Sequence, residues 1–187
     1  MNAPPLLCQA EQSILLVIDV QQRLASAMPD KPLKMLIKHS RFLIQAAEWL
    51  AIPLLRTEQY PRGLGSTVDD IRHHIHADTC LEKTRFSCCG AEGFTQTLDK
   101  ACRRQVIITG MESHVCVLQT AMELKAQDYE VFVVRDACCS RNKHNHKNAL
   151  QRMQQAGIVV TNTESVLFEW LRDAGHPQFK AVSQLLR

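Results

Sequence analysis

Five apolar residues in succession, Ile14-Leu15-Leu16-Val17-Ile18, stop at Asp19. A run this short and uninterrupted reads as a strand buried on both faces, because a strand with one wet face alternates apolar and polar residues. Comparable runs recur at Ile52 to Arg56, Thr79 to Lys83, Val106 to Thr109, Glu130 to Val134 (ending at Asp136) and Ile158 to Val160. Between them the apolar residues return every three or four positions, the helical spacing. Leu33, Leu36, Ile37, Phe42, Leu43, Ala46, Ala47 and Leu50 do so after Asp30, the expected N-cap. Further helices are expected from Gly90 to Ala101, from Val115 onward, from Lys143 to Ala156 with Gly157 as the stop, and from Thr163, as cap, to Leu171. Pro53 lacks an amide donor, so it fits only the first residues of its strand or a sheet edge. Strands alternating with helices predict a three-layer, Rossmann-like α/β sandwich: a mostly parallel sheet of about six strands, with helices on both faces.

The 187 residues fit one domain, 1–187, with a sizeable core. A formal net charge of +3, evenly spread, argues against a nucleic-acid partner. No run of 18 apolar residues offers a membrane span, and the opening MNAPPLLCQAEQS lacks the basic and apolar regions of a signal peptide. The 8 cysteines show no metal-ligand spacing and read as reduced thiols of a cytoplasmic protein, the neighbours Cys88-Cys89 and Cys138-Cys139 included. The stretch from Thr57 to Thr79 reads as a long loop, of the kind that is usually functional.

The segment Gln105 to Gln127 leaves a strand, turns at Gly110 and enters a helix near Cys116. Unpaired amides and the helix dipole favour an anion there, so the position is expected to depress the thiol pKa and make a nucleophile. The plainer alternative is a packed cysteine, since free Cys is among the most buried residue types. In parallel sheets the site lies beyond the carboxyl ends of the strands. Asp19 closes the first run, Lys83 closes the third and Cys116 follows the fourth, so an acid, an amine and a thiol are expected on one sheet edge. A salt bridge beside a packed thiol would give the same pattern.

Three segments in this order resemble the isochorismatase-like cysteine hydrolases: LLVIDVQ within Ile14 to Gln21, Lys83-Thr84-Arg85-Phe86-Ser87, and Gly110-Met111-Glu112-Ser113-His114-Val115-Cys116. The likeness runs from about Ser13 to Lys180. TEQYPRGLG from Thr57, DACCSR from Asp136 and HPQFK from His176 are most similar to the isochorismatase domain-containing proteins. The resemblance implies an Asp19, Lys83, Cys116 catalytic triad and a cis peptide bond between Met111 and Glu112. It also implies an oxyanion hole of the backbone N–H groups of Glu112 and Cys116. Nicotinamidases of the superfamily hold a metal after the second strand, where this chain has Gln59 and Pro61; neither replaces those ligands, so no metal and no cofactor are expected. His73, His74 and His76 read as a solvated surface rather than a second metal site. Gln21, Leu24, Gln59, Tyr60, Phe86, His114 and Val115 are the expected substrate-binding residues, and Asp136 is expected to be structural.

The resulting expectation is a metal-independent cysteine hydrolase. It would cleave a C–N (amide or imide) or ester bond of a small molecule through a Cys116 thioester. Lys83 would keep Cys116 ionised while Asp19 moves the proton. The alternatives are a non-catalytic interaction or scaffold protein, or a thiol redox sensor. Val166, Leu167, Phe168, Trp170, Leu171, Phe179, Val182 and Leu185 look like surplus apolar surface, which argues for a homo-oligomer; no membrane partner is expected.

Overall fold

A computed structural model describes residues 7–75 and 79–187. Six strands form one sheet: β1 (Ser13–Ile18), β2 (Leu54–Gln59), β3 (Cys80–Lys83), β4 (Gln105–Met111), β5 (Glu130–Cys139) and β6 (Val159–Thr161). All neighbours pair in parallel, in the order β3-β2-β1-β4-β5-β6. The helices are α1 (Gln22–Ser26), α2 (Asp30–Trp49), α3 (Pro61–Leu64), α4 (Asp69–Arg72), α5 (Phe94–Ala101), α6 (Leu118–Ala126), α7 (Lys143–Gln155), α8 (Thr163–Leu171) and α9 (Phe179–Leu185).

The apolar runs divide by parity, because successive side chains of a strand point to opposite faces. Leu15, Val17, Ile107, Phe132 and Val134 pack with Leu36, Leu43 and Ala47 of α2, Val166, Leu167 and Trp170 of α8, and Val182 of α9. Ile14, Leu16, Ile18, Val106, Ile108, Val131 and Val133 pack on the other face with Phe94 and Leu98 of α5, Leu118 and Leu124 of α6, and Met153 of α7. Burying each such side chain contributes about 1.5–3 kcal/mol, which is why the runs are continuous.

The strand order reverses between β1 and β4. The crevice of a doubly wound sheet opens at that point, outside the carboxyl ends of the strands. Gly110 of β4 lies beside Ile18 of β1 with φ +124, and a Cβ there would stand 2.1 Å from the Ile18 carbonyl oxygen. Only glycine permits this approach.

Several local expectations are corrected. β2 continues to Gln59, so Thr57 is strand rather than loop, and α3 and α4 occupy part of the remaining connection. β5 runs past Asp136 to Cys139, because a register shift between Ile108 and Gly110 lets Cys138 and Cys139 pair with Gly110 and Met111. The N-cap of α2 is Pro29, without a side-chain bond, and Asp30 is its first helical residue. The N-cap of α8 is Asn162, which accepts from the Ser165 amide, while the Thr163 hydroxyl donates to Asp136 Oδ1 at 2.9 Å. The helix expected from Gly90 begins at Phe94, after a 3₁₀ turn at Cys88–Gly90. The C-terminal apolar residues are not surplus: Val166, Leu167, Trp170, Leu171 and Val182 are buried on their own sheet, and Phe168 is the exposed one of the set at 40%.

Candidate active site

β1 ends in a residue with an unusual backbone. Asp19 has φ 51, a conformation that Asp tolerates better than most residues and that recurs at functional sites. Its carboxylate is fully buried and both oxygens have donors. Thr57 Oγ1 of β2 donates to Oδ1 at 2.7 Å, and Lys83 Nζ donates to Oδ2 at 2.6 Å. Lys83 closes β3 and is pinned from other directions as well. Its ammonium donates to Gln59 Oε1 at 2.8 Å and to the carbonyl oxygens of Phe86 at 3.0 Å and Arg85 at 3.3 Å. Burial alone would lower the Lys83 pKa; the Asp19 charge outweighs it, with help from the Cys88 and Cys116 thiols and the bond to Asp19, and holds it above its ordinary value.

Cys116 follows β4, on the carboxyl side of the sheet's switch point. The Met111–Glu112 peptide bond is cis. A π turn, Ser113–Val117, follows and leads into α6, and such turns recur at functional sites. Cys116 is 5% exposed. Burial raises its pKa first, the Asp19 charge raises it further, Lys83 lowers it, and Asp19 raises it again as a hydrogen-bond acceptor. The expected depression of the Cys116 pKa is therefore corrected. Desolvation and Asp19 outweigh Lys83, which favours the protonated thiol.

The loop is braced from β5 and α7. The Ser113 hydroxyl donates to the Cys139 carbonyl at 3.0 Å and meets His146 Nδ1 at 2.8 Å. A serine hydroxyl has one proton, so His146 carries hydrogen on Nδ1. Burial, then the Arg135 charge, lowers the His146 pKa, which keeps the ring neutral. Glu112 accepts from the Arg141 amide at 2.9 Å and pairs with its guanidinium at 3.1 Å.

The expected substrate-binding residues fall into different places. Gln21 is fully buried and holds the β2 end: its amide donates to the carbonyls of Gln59 and Gly65, and its Oε1 accepts from the Gln59 amide. Its polar atoms thus face the protein instead of an open pocket. Gln59 bridges Lys83 and the Thr84 carbonyl, so its side chain acts on the lysine. Leu24 packs on the α2 side of the core and Val115 on the α6 side. His114 Nδ1 meets Ser140 Oγ at 3.0 Å. Tyr60 and Phe86 are 55% and 54% exposed. Both are tied to the lysine segment, through the Tyr60 amide to the Lys83 carbonyl and through the Phe86 carbonyl to Nζ. A cavity of about 390 Å³ bordered by Tyr60, Arg62, Lys83, Thr84 and Glu92 opens beside Tyr60.

Thr57, Cys88, Ser113 and His146 escaped the sequence reading. Thr57 was hidden by its placement in a loop. The spacing of Cys88, five residues beyond Lys83, was the one available hint. His73 and His74 are exposed, and His76 lies outside the described residues. Among the described residues no group of three or more His, Cys, Asp or Glu is arranged to hold a metal ion. Gln59 is engaged and Pro61 has no donor atom, so the nicotinamidase type of metal site does not fit this chain.

A model of the isochorismatase domain matches residues 13–165. Isochorismatase domain-containing protein 2B of Mus musculus is 35% identical over 178 residues, covering 95% of this chain and 82% of that protein. A solved structure named MAR1 ribonuclease from Caenorhabditis elegans superposes with a TM-score of 0.89 at 38% identity, covering 96% of this chain and 91% of the other. The YcaC gene product of Escherichia coli, described as an octameric hydrolase of unknown specificity, superposes with a TM-score of 0.91 over 99% of this chain and 91% of its own. At 22% identity that last likeness establishes the fold alone.

Proposed function

The chain belongs to the isochorismatase family, and from that premise we propose that it is a metal-independent cysteine hydrolase. Its substrate class would be a small molecule with an amide, imide or ester bond. The observation that carries this reading is the buried Lys83–Asp19 pair at 2.6 Å, whose charges act in opposite directions on the Cys116 thiol proton. Asp19 takes that proton as Cys116 Sγ bonds the carbonyl carbon. The N–H groups of Glu112 and Cys116 hold the oxyanion. The intermediate collapses to a thioester, and Asp19 passes its proton to the departing amine or alcohol. A water, deprotonated by Asp19, then attacks the thioester, and the sulfur leaves with the proton. Lys83 keeps the carboxylate in place and offsets charge as the sulfur ionises. Tyr60, Phe86, His114 and Val115 would line the substrate's approach in this reading, with Leu24 as a more distant wall.

The test is exposure to a library of amides and activated esters, with mass spectrometry of the Cys116 peptide. Acyl adducts that form and turn over, undiminished by EDTA, are expected. Adducts that persist or never form would favour an interaction protein, and oxidation of Cys116 with a partner thiol would favour a redox sensor.

A second reading follows from the nematode neighbour, which is named a ribonuclease. Exposed Tyr60 and Phe86, with Arg62 and Arg85 alongside them in sequence, would suit stacking and phosphate contact. Cleavage of a quenched fluorescent RNA that Cys116→Ser abolishes would establish it over the amide reading.

We also propose a homo-oligomer in the cytoplasm. An octamer is described for the Escherichia coli neighbour, and Met35, Trp49, Tyr60, Phe86 and Phe168 are exposed apolar side chains. All eight cysteines are free thiols, and no helix among the described residues is long and apolar enough to cross a membrane. A monomer mass by light scattering at micromolar concentration would overturn the assembly.

A further inference from the structure

Beneath the triad lies a polar chain that the mechanism above does not use. Thr57 is 1% exposed and pairs in register with Ile18, so its hydroxyl arrives directly under Asp19. Oγ1 stands 2.7 Å from Asp19 Oδ1 and 3.6 Å from Cys88 Sγ. An ionised carboxylate only accepts, and a threonine hydroxyl has one proton. That proton therefore belongs to Asp19, and Cys88 S–H must be the donor to Thr57. Cys88 itself is fixed by its amide, which donates to Thr120 Oγ1 at 2.9 Å. Burial, then the Asp19 charge, pushes its thiol up to about 12, so it remains a donor near neutral pH.

We propose that Thr57 and Cys88 are positioning residues for Asp19. The chain from Cys88 S–H to Thr57 O–H to Oδ1 fixes the orientation of the carboxylate that exchanges a proton with Cys116. The inference rests on the hydrolase reading. In the step concerned, the Cys116 S–H bond breaks, an O–H bond forms on the Asp19 carboxylate, and the sulfur keeps the electron pair with which it bonds the carbonyl carbon. Lys83 retains Gln59 Oε1 and the Phe86 carbonyl as acceptors when the carboxylate is protonated. The protons of the Cys88–Thr57 chain stay where they are.

The test uses 4-nitrophenyl acetate as probe and follows kcat and KM against pH for the full chain. Thr57→Val is expected to lower kcat about tenfold with KM within about twofold. Its acid limb should move to higher pH, because a carboxylate that loses a donor to its charged form holds a proton more tightly. Thr57→Ser keeps the hydroxyl and should restore both. Cys88→Ser against Cys88→Ala repeats the comparison one step further out, with a smaller effect in the same direction, and serves if Thr57→Val does not fold. Equal loss in Thr57→Val and Thr57→Ser with the acid limb unmoved, or the wild-type rate in both, overturns the relay. Asp19→Asn and Cys116→Ser separate the two ideas. If these retain turnover, or if wild type shows no Cys116-dependent acetylation, the hydrolase reading fails and takes the relay with it. If they abolish turnover while Thr57→Val does not impair it, the relay alone fails.

Discussion

Lys83 Nζ stands 2.6 Å from Asp19 Oδ2, and neither side chain has any exposed surface. A pair this deep exacts a desolvation penalty that its attraction offsets only because further acceptors surround the ammonium. Removing one partner leaves the other charged and unpaired. Lys83→Met is expected to destabilise the fold by about 3–5 kcal/mol, and Asp19→Asn with Lys83→Met by much less than the sum of the two single changes. Urea unfolding of the four proteins measures the coupling. Additive losses would mean that the pair is not the electrostatic unit described.

The acidity of Cys116 makes a second prediction. At pH 7 iodoacetamide should label Cys116 more slowly than the exposed Cys102, because burial and then Asp19 keep its thiol protonated. Asp19→Asn removes the second of those causes and should speed labelling, although it abolishes turnover. Lys83→Met removes the lowering influence and should slow labelling further. Mass spectrometry of the two peptides reads the ratio; faster labelling of Cys116 than of Cys102 in wild type would reinstate a resting thiolate.

Stability should fall on the alkaline side. Cys88 goes from an ordinary value of 9.0 to about 12 in the fold, so its folded pKa lies above its unfolded one. The associated stability is fully present below about pH 9 and is lost as pH rises toward about 12, at up to roughly 1.4 kcal/mol per pH unit. Lys83, also raised, acts with the same sign above 10.5. The urea midpoint of wild type should therefore drop between pH 8.5 and about 11, and Cys88→Ser should flatten part of that drop. A flat wild-type profile would contradict it.

Gly110→Ala should disturb the site from outside it. A Cβ at 2.1 Å from the Ile18 carbonyl cannot be relieved by a side-chain rotation, since the obstacle is backbone. A cost of about 3 kcal/mol or more is expected from the clash and the φ of +124 together. Ile18 immediately precedes Asp19, so whatever folded protein remains should lose activity beyond its loss of stability. Normal kcat in the folded fraction would refute the coupling.

The grouping of Asp19, Lys83 and Cys116 was legible because each closes or follows an apolar run, and a parallel sheet brings such ends to one edge. What the chain could not disclose was register. Thr57 lies under Asp19 only because Ile18 pairs with it, and the Gln21 side chain reaches the Gln59 main chain only because β1 and β2 are neighbours. Burial was equally hidden: helix position and Lys83 argued for a thiolate at Cys116, while desolvation reverses the sign. Trp170 and Val182 looked like spare surface until their packing against Leu15 and Val17 of β1 in the α2-side core was known.

The strand order also has a consequence for synthesis. β1 sits between β2 and β4, and its pairing with β4 joins Ser13 to Gln105. On the ribosome, one edge of this buried, largely apolar strand must wait for a partner 92 residues downstream (105 minus 13). At about 5–20 residues per second that is roughly 5–18 seconds with an unpaired edge. Unpaired apolar edges are templates for foreign strands. The first half of this chain, made alone, should aggregate, and it should be rescued by the second half supplied in trans.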